Sequence, residues 1–148
     1  MKRVLVAVDG SERAPLVLDA AVQLARTIGA ELVLMRSVAL PAELPPTLFT
    51  VSIDNALQSL ASDAKRELDA LAARVPGELL SAARVRIGGQ PWQAIVDSAK
   101  EEDVALIVIG SHGYHGLDRL LGTTAAKVVN HADRSVLVVR APERLTAA

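Results

Sequence analysis

Residues 104–124, VALIVIGSHGYHGLDRLLGTT, carry an unbroken apolar run straight into a cluster of glycines. A run with no alternation of polar and apolar residues is the pattern of a strand buried on both faces. Strands of that kind belong to parallel sheets covered by helices on either side, so 104–110 reads as one strand of such a sheet. The glycines that follow form either a tight turn or a cradle for a ligand. On spacing alone, both readings stand.

Working outward, four more strand-length apolar runs flank this one: VLVAV (4–8), ELVLMRSV (31–38), ARVRIG (83–88) and SVLVVR (135–140). Helical patterns separate them. In residues 11–29, Leu16, Ala20, Ala21 and Leu24 recur at helical spacing, and Gly29 stands where a C-terminal cap belongs. An Ala/Leu-rich amphipathic helix is predicted over 54–75. Pro91 near the start of a third helix lacks only an N–H that would be unpaired anyway, and Ile95, Val96 and Ala99 share one face. The fourth helix is TTAAKVVNHA (123–132), while ALPAELPPTLFT (39–50), with three prolines, reads as an irregular loop.

The order βαβαβαβαβ implies an α/β three-layer sandwich around a five-stranded parallel sheet, because right-handed crossovers leave few other solutions. The expected strand order is 3-2-1-4-5, Rossmann-like or flavodoxin-like. Ligands of such sheets sit beyond the strand C-termini where the winding reverses, here between strands one and four. Asp9 and Gly110 should therefore face one crevice.

Composition narrows the function further. A length of 148 residues suits one domain, 1–148, with 141–148 as a loose tail. Sixteen Lys and Arg against 17 Asp and Glu give no electrostatic pull toward nucleic acid. There is no cysteine, and the three histidines, His112, His115 and His131, are too few and too poorly spaced for a zinc site. No metal site of the protein's own is expected. The N-terminal MKRVLVAVDG lacks a cleavage pattern, and no apolar stretch reaches the roughly 18 residues of a membrane span, so a cytoplasmic protein without a membrane partner is expected.

Gly110, Gly113 and Gly116 permit close backbone approach, and exposed N–H groups in such a loop favour anions. Gly122, Thr123 and Thr124 then open a helix, where unpaired amides and the helix dipole favour anions too, although threonine there is also an ordinary N-cap. Leu117, Leu120 and Leu121 predict a short helical turn between the two. The segment is neither a Walker A loop nor a G-x-G-x-x-G fingerprint. No ordered acid and histidine follow Ser111, so hydrolase chemistry is not expected. The acidic constellation of a phosphoacceptor domain is missing as well.

VLVAVDGSERA at the start, GSHG after the fourth strand, GT opening the next helix and SVLVVR at the end together resemble the universal stress protein family, in order, from residue 3 to 140. ATP-binding members of that family share G-x2-G-x9-G-[ST]. Here Gly110 and Gly113 fit the first part and Gly122 with Thr123 the last, but eight residues separate Gly113 from Gly122 instead of nine. A shorter loop tip with both glycine ends in place is the expected consequence.

The resemblance implies that ATP, or ADP or AMP, with Mg2+ as an optional accompanying ion, binds at the ends of strands one and four. It implies that Ala7, Val8 and Val38 border the adenine, with backbone groups of Val8 and Val38 in reach of its edge. Asp9 would meet a ribose hydroxyl or help place magnesium; otherwise it belongs to a turn with Gly10 and Ser11. Ile109, Gly110, Ser111, His112 and Gly113, with Gly122, Thr123 and Thr124, complete the candidate contacts, His112 as a peripheral one. No catalytic residue is assigned: one Arg119 and no P-loop lysine make a poor phosphoryl-transfer site, and slow hydrolysis at most is implied. Trp92 is read as a packing residue, His115 and His131 as solvated or capping. The apolar edge strand calls for a cover, and the family implies a homodimer through Val136 to Val139. A different class of function remains open: a nucleotide-free dimeric interaction module whose glycine loop is only a turn.

Overall fold

The computed structural model describes residues 2–39, 53–111 and 121–140. Most of the Pro-rich loop, His112, Gly113, His115, Gly116, Arg119, most of the predicted leucine turn and the tail lie outside the described residues. The elements are β1 (Lys2–Ala7), α1 (Ala14–Ile28), β2 (Ala30–Val38), α2 (Ile53–Ala72), β3 (Leu80–Ile87), α3 (Pro91–Glu101), β4 (Leu106–Gly110), α4 (Thr123–His131) and β5 (Ser135–Val139). A 3-10 turn at Gly77–Leu79 leads into β3.

All four strand pairings are parallel, in the order β3-β2-β1-β4-β5. The predicted order is the observed one. Strands one and four pair with Val6 beside Val108 and Ala7 beside Ile109, which brings their C-terminal ends together.

Alternate residues of the central strands enter two separate cores. Val4, Val6 and Val108 join Leu32 and Leu34 under α1 and α2. Leu5, Ile107 and Ile109 join Val33 and Met35 under α3 and α4. This double burial is the physical reason for the unbroken apolar runs.

Helix α1 ends as expected, with Gly29 left-handed at φ 69° and its N–H donating to the Ala25 carbonyl. Its buried stripe differs from the one predicted. Ala14, Val17, Leu18, Ala21 and Ala25 face the sheet, and Leu16 is left exposed. Small residues in that stripe let the helix lie close to the strands, and volume rather than hydrophobicity selects the face. Helix α3 buries Ile95, Val96 and Ala99, as its spacing predicts.

Two sets of arginine contacts tie α3 and the turn after it to neighbouring segments. Arg134 Nη1 donates to the carbonyls of Ala99 and Val104, each at 2.8 Å, closing the turn out of α3. Within that turn Asp103 adopts a left-handed φ of 49°. On the edge strand β3, Arg84 pairs with Glu102 and Arg86 with Glu101. Hydrogen bonding from Arg86 holds the Glu101 carboxyl below its ordinary range. Charged side chains along an edge strand discourage pairing with another chain.

Candidate functional site

The site begins where β1 ends. The Ser11 N–H donates to Asp9 Oδ1 at 2.9 Å, and the Arg13 N–H donates to Ser11 Oγ at 3.2 Å. These side-chain bonds shape the loop that starts α1. Gly10 lies against the Arg36 guanidinium so closely that a Cβ there would sit 2.9 Å from Nη2. Arg36 is held in turn by Glu67 of α2. The turn reading of Asp9 therefore holds, and it leaves Asp9 on the wall of a cavity.

That cavity, about 410 Å³, opens over the C-terminal ends of β2, β1 and β4. The volume lies within the range of small-molecule sites. Ala7, Val8 and Asp9 form its floor at β1, Ile109 and Gly110 at β4, and Gly122, Thr123 and Thr124 close it at the start of α4. Eight of the sequence candidates are thus brought together.

Val38 is not among the lining residues. Its carbonyl accepts from the Gly88 N–H at 2.8 Å, tying β2 to the end of β3. Side chains alternate along a strand, so the cavity meets Met35 and Ser37 instead. The Val8 N–H is also engaged, donating to the Met35 carbonyl at 3.0 Å. Ser111 is buried; its N–H donates to the Val139 carbonyl at 3.0 Å, its carbonyl accepts from the Gly122 N–H at 3.3 Å, and it does not line the cavity. The same strand alternation, applied from Met35, was the signal that would have selected Ser37. Ala14 and Val17 of α1 and Pro91 and Ile95 of α3, the remaining apolar walls, had no signature beyond helix periodicity.

At α4 the cap position is Gly122, with no side chain capping the helix. Thr123 and Thr124 are therefore inside the first turn and not capping it. The first helical bond runs from the Ala126 N–H to the Gly122 carbonyl at 2.9 Å. The amides of Thr123, Thr124 and Ala125 precede it and have no intrahelical acceptor. All three residues line the cavity, where the positive end of the helix dipole favours negative charge.

On the opposite side, Ser37 Oγ is sealed from solvent and has no hydrogen-bond partner among the described residues. Buried hydroxyls are ordinarily paired. A cavity with the first-turn amides of α4 at one end and the Asp9 carboxylate on its wall fits a polar, anionic ligand. The residues present are compatible with a nucleotide. Among the described residues, no three His, Asp or Glu side chains cluster as metal ligands.

Trp92 packs against the core under α3 and α4, as expected of it. Its ring also stacks on His131 at the end of α4, with centroids 4.5 Å apart and planes 28° from parallel. Its Nε1–H donates to Gln90 Oε1 at 2.9 Å. The histidine reading missed this contact because it is long-range in sequence.

A family model described as the Universal stress protein family matches residues 1–140. The universal stress protein YxiE of Bacillus subtilis is 31% identical over 145 residues, covering 93% of this chain and 98% of its own. A solved structure of the universal stress protein UspA from Lactobacillus plantarum is 30% identical with a TM-score of 0.73, covering 94% of this chain and 97% of that one. The universal stress protein from Archaeoglobus fulgidus, solved in complex with dAMP, is 25% identical with a TM-score of 0.58, over 95% of this chain and 98% of that one. The fold and the strand order agree with these likenesses, and the chain belongs to the universal stress protein family.

Proposed function

We propose that the protein binds an adenine nucleotide, ATP or its di- or monophosphate, in the cavity over β2, β1 and β4, and acts as a nucleotide-dependent stress-response or signalling module. The observation that carries this reading is the uncapped start of α4, whose amides line the same cavity as Asp9. Neighbouring strands lie about 4.8 Å apart, so β2 and β4 are separated by roughly 10 Å across β1. A nucleotide laid along that edge has its phosphates at Thr123 and Thr124, its ribose near Asp9 and its base between Met35, Pro91 and Ile95. The dAMP complex of the Archaeoglobus fulgidus relative supports an adenine ligand. Magnesium, where it takes part, arrives with the phosphates, and Asp9 is the carboxylate among the described lining residues.

Hydrolysis is slow or absent in this reading. Phosphoryl transfer needs a cationic clamp and an oriented water, and no lysine or arginine is among the described residues that line the cavity. The function is sensing rather than turnover. The edge strand β5 presents Leu137 at 40% exposure, which supports a homodimer formed through Val136 to Val139.

The test is the nucleotide content of the purified protein, read by mass spectrometry, together with thermal shifts against millimolar ATP, ADP and AMP with magnesium. Retained adenine nucleotide or a rise in Tm is expected. Failure of all three to raise Tm, with no nucleotide retained, overturns the reading in favour of a nucleotide-free interaction module.

A further inference from the structure

Arg36 is a charged side chain at the end of an apolar stripe. Leu32 and Leu34 precede it on the same face of β2, and both belong to the core under α1 and α2. Only 20% of the Arg36 side chain is exposed. A charge held mostly out of water needs a partner, and Glu67 of α2 supplies it. A leucine or methionine would finish the stripe with no ion pair to build, so the arginine calls for a role of its own.

Besides Glu67, the guanidinium meets Gly10. A Cβ on Gly10 would lie 2.9 Å from Nη2, 3.4 Å from Cζ and 3.6 Å from Nη1 of Arg36, so the planar group covers that side of the glycine. The φ of Gly10 is not positive, and the glycine therefore serves close approach and not a special torsion. Asp9, next to it, lines the cavity, and its Oδ1 accepts from the Ser11 N–H across Gly10. Met35 and Ser37 line the cavity on either side of Arg36 in sequence, while Arg36 itself does not. Its route to the site runs through Gly10.

We propose that Arg36 is a positioning residue: its guanidinium, held by Glu67, backs the turn at Gly10 and sets the place of the Asp9 carboxylate on the cavity wall. The assignment rests on the cavity being the nucleotide site with Asp9 at the ribose. A guanidinium suits the task because it is a rigid plate that stacks and pairs at once, which a lysine ammonium cannot do. Through this contact α2, which contributes none of the described lining residues, belongs to the support of the site.

Titration calorimetry with ATP and with 2′,3′-dideoxy-ATP tests it. Arg36→Met keeps an apolar stem and loses the plate and the pair. Its Kd for ATP is expected to rise about threefold to tenfold, the worth of one hydrogen bond. The dideoxy analogue has no ribose hydroxyl for Asp9, so wild type and variant should bind it within about twofold of each other. Gly10→Ala drives a methyl against the guanidinium and should also weaken ATP binding; in an Arg36→Ala background, where the space is open, it should cost nothing further. Glu67→Ala, on an exposed helix side, releases the guanidinium and should weaken ATP in the same direction. It carries the test should Arg36→Met fail to fold.

Unchanged ATP affinity in Arg36→Met, or in Glu67→Ala where the former does not fold, overturns the proposal. Equal weakening of ATP and the dideoxy analogue makes Arg36 a merely structural residue and overturns it too, as do additive losses from Gly10→Ala and Arg36→Ala. Wild-type protein that binds the two ligands equally leaves no ribose contact for the turn to place, with the same result. Wild-type protein that binds neither ligand overturns the nucleotide reading itself, an outcome distinct from wild-type binding that the variants leave intact.

Discussion

Thr123→Asp separates the two things that the start of α4 does. Thr123 is the first helical residue, exposed, after a cap that offers no side-chain acceptor. A carboxylate there meets the unpaired amides and the positive helix end, which is worth about 0.3–1 kcal/mol to the free protein at an exposed position. For a domain of this size that corresponds to a Tm higher by roughly 1–4 °C.

The same carboxylate stands where the phosphates would lie. At about 5 Å, one pair of like charges costs about 1–3 kcal/mol for an effective dielectric constant between water and a protein surface. Losing the amides to an internal acceptor adds to that. ATP should therefore bind at least about fivefold more weakly, AMP less so, and adenosine within about twofold of its wild-type affinity. Titration calorimetry with the three ligands, beside a melting curve of the free protein, measures both sides. Equal weakening of adenosine and ATP would refute the assignment of phosphate to this helix end, as would unchanged ATP affinity in a protein that has become more stable.

Other perturbations probe the scaffold, the edge and the loop. Arg134→Ala removes both bonds to the Ala99 and Val104 carbonyls from a side chain only 18% exposed; a loss of about 2 kcal/mol is expected in urea unfolding, and a loss under about 0.5 kcal/mol would show that water replaces the guanidinium. Leu137→Glu places charge on the exposed face of the edge strand, and if the proposed dimer forms through β5, sedimentation velocity should show a dimer for the wild type and a monomer for the variant; a variant dimer that survives at micromolar concentration argues for another interface. Inserting one glycine after Tyr114 restores nine residues between Gly113 and Gly122, and Tm and AMP affinity should stay within error and about twofold respectively. A large change in either would mean that the loop tip positions the glycine ends.

How much of this was legible in the sequence depended on whether the deciding interaction was periodic or long-range. The five strands and their order followed from apolar runs, because burial on both faces leaves no other composition for β1 and β4. Asp9, Gly110 and Gly122 were legible because turn and helix-start chemistry restricts residue type locally. The buried face of α1 was not, since Leu16 is the larger hydrophobe and yet the alanines face the sheet. Val38 was named on resemblance, for its backbone groups; the lining residue on that strand is its neighbour Ser37, since successive residues of a strand face opposite sides. The stacking of Trp92 on His131 needed the three-dimensional adjacency of α3 and α4.

The one-residue departure from the family's glycine spacing is answered at the base of the loop. Ser111 is fixed on both sides, its N–H to Val139 on β5 and its carbonyl to Gly122, so the chain leaves and re-enters the site through one hydrogen-bonded gate. Gly110 precedes that gate and Gly122 forms half of it, and both line the cavity. The ten residues from 112 to 121 span a closed distance whose ends are set by β4, β5 and α4. Adding or removing one residue in a loop of that length changes its closure free energy by only about 0.1 kcal/mol, far less than the bonds at its base are worth. The position of the amides at the start of α4 is therefore set by the sheet and by α4, and one residue more or less in the intervening segment is expected to leave them in place.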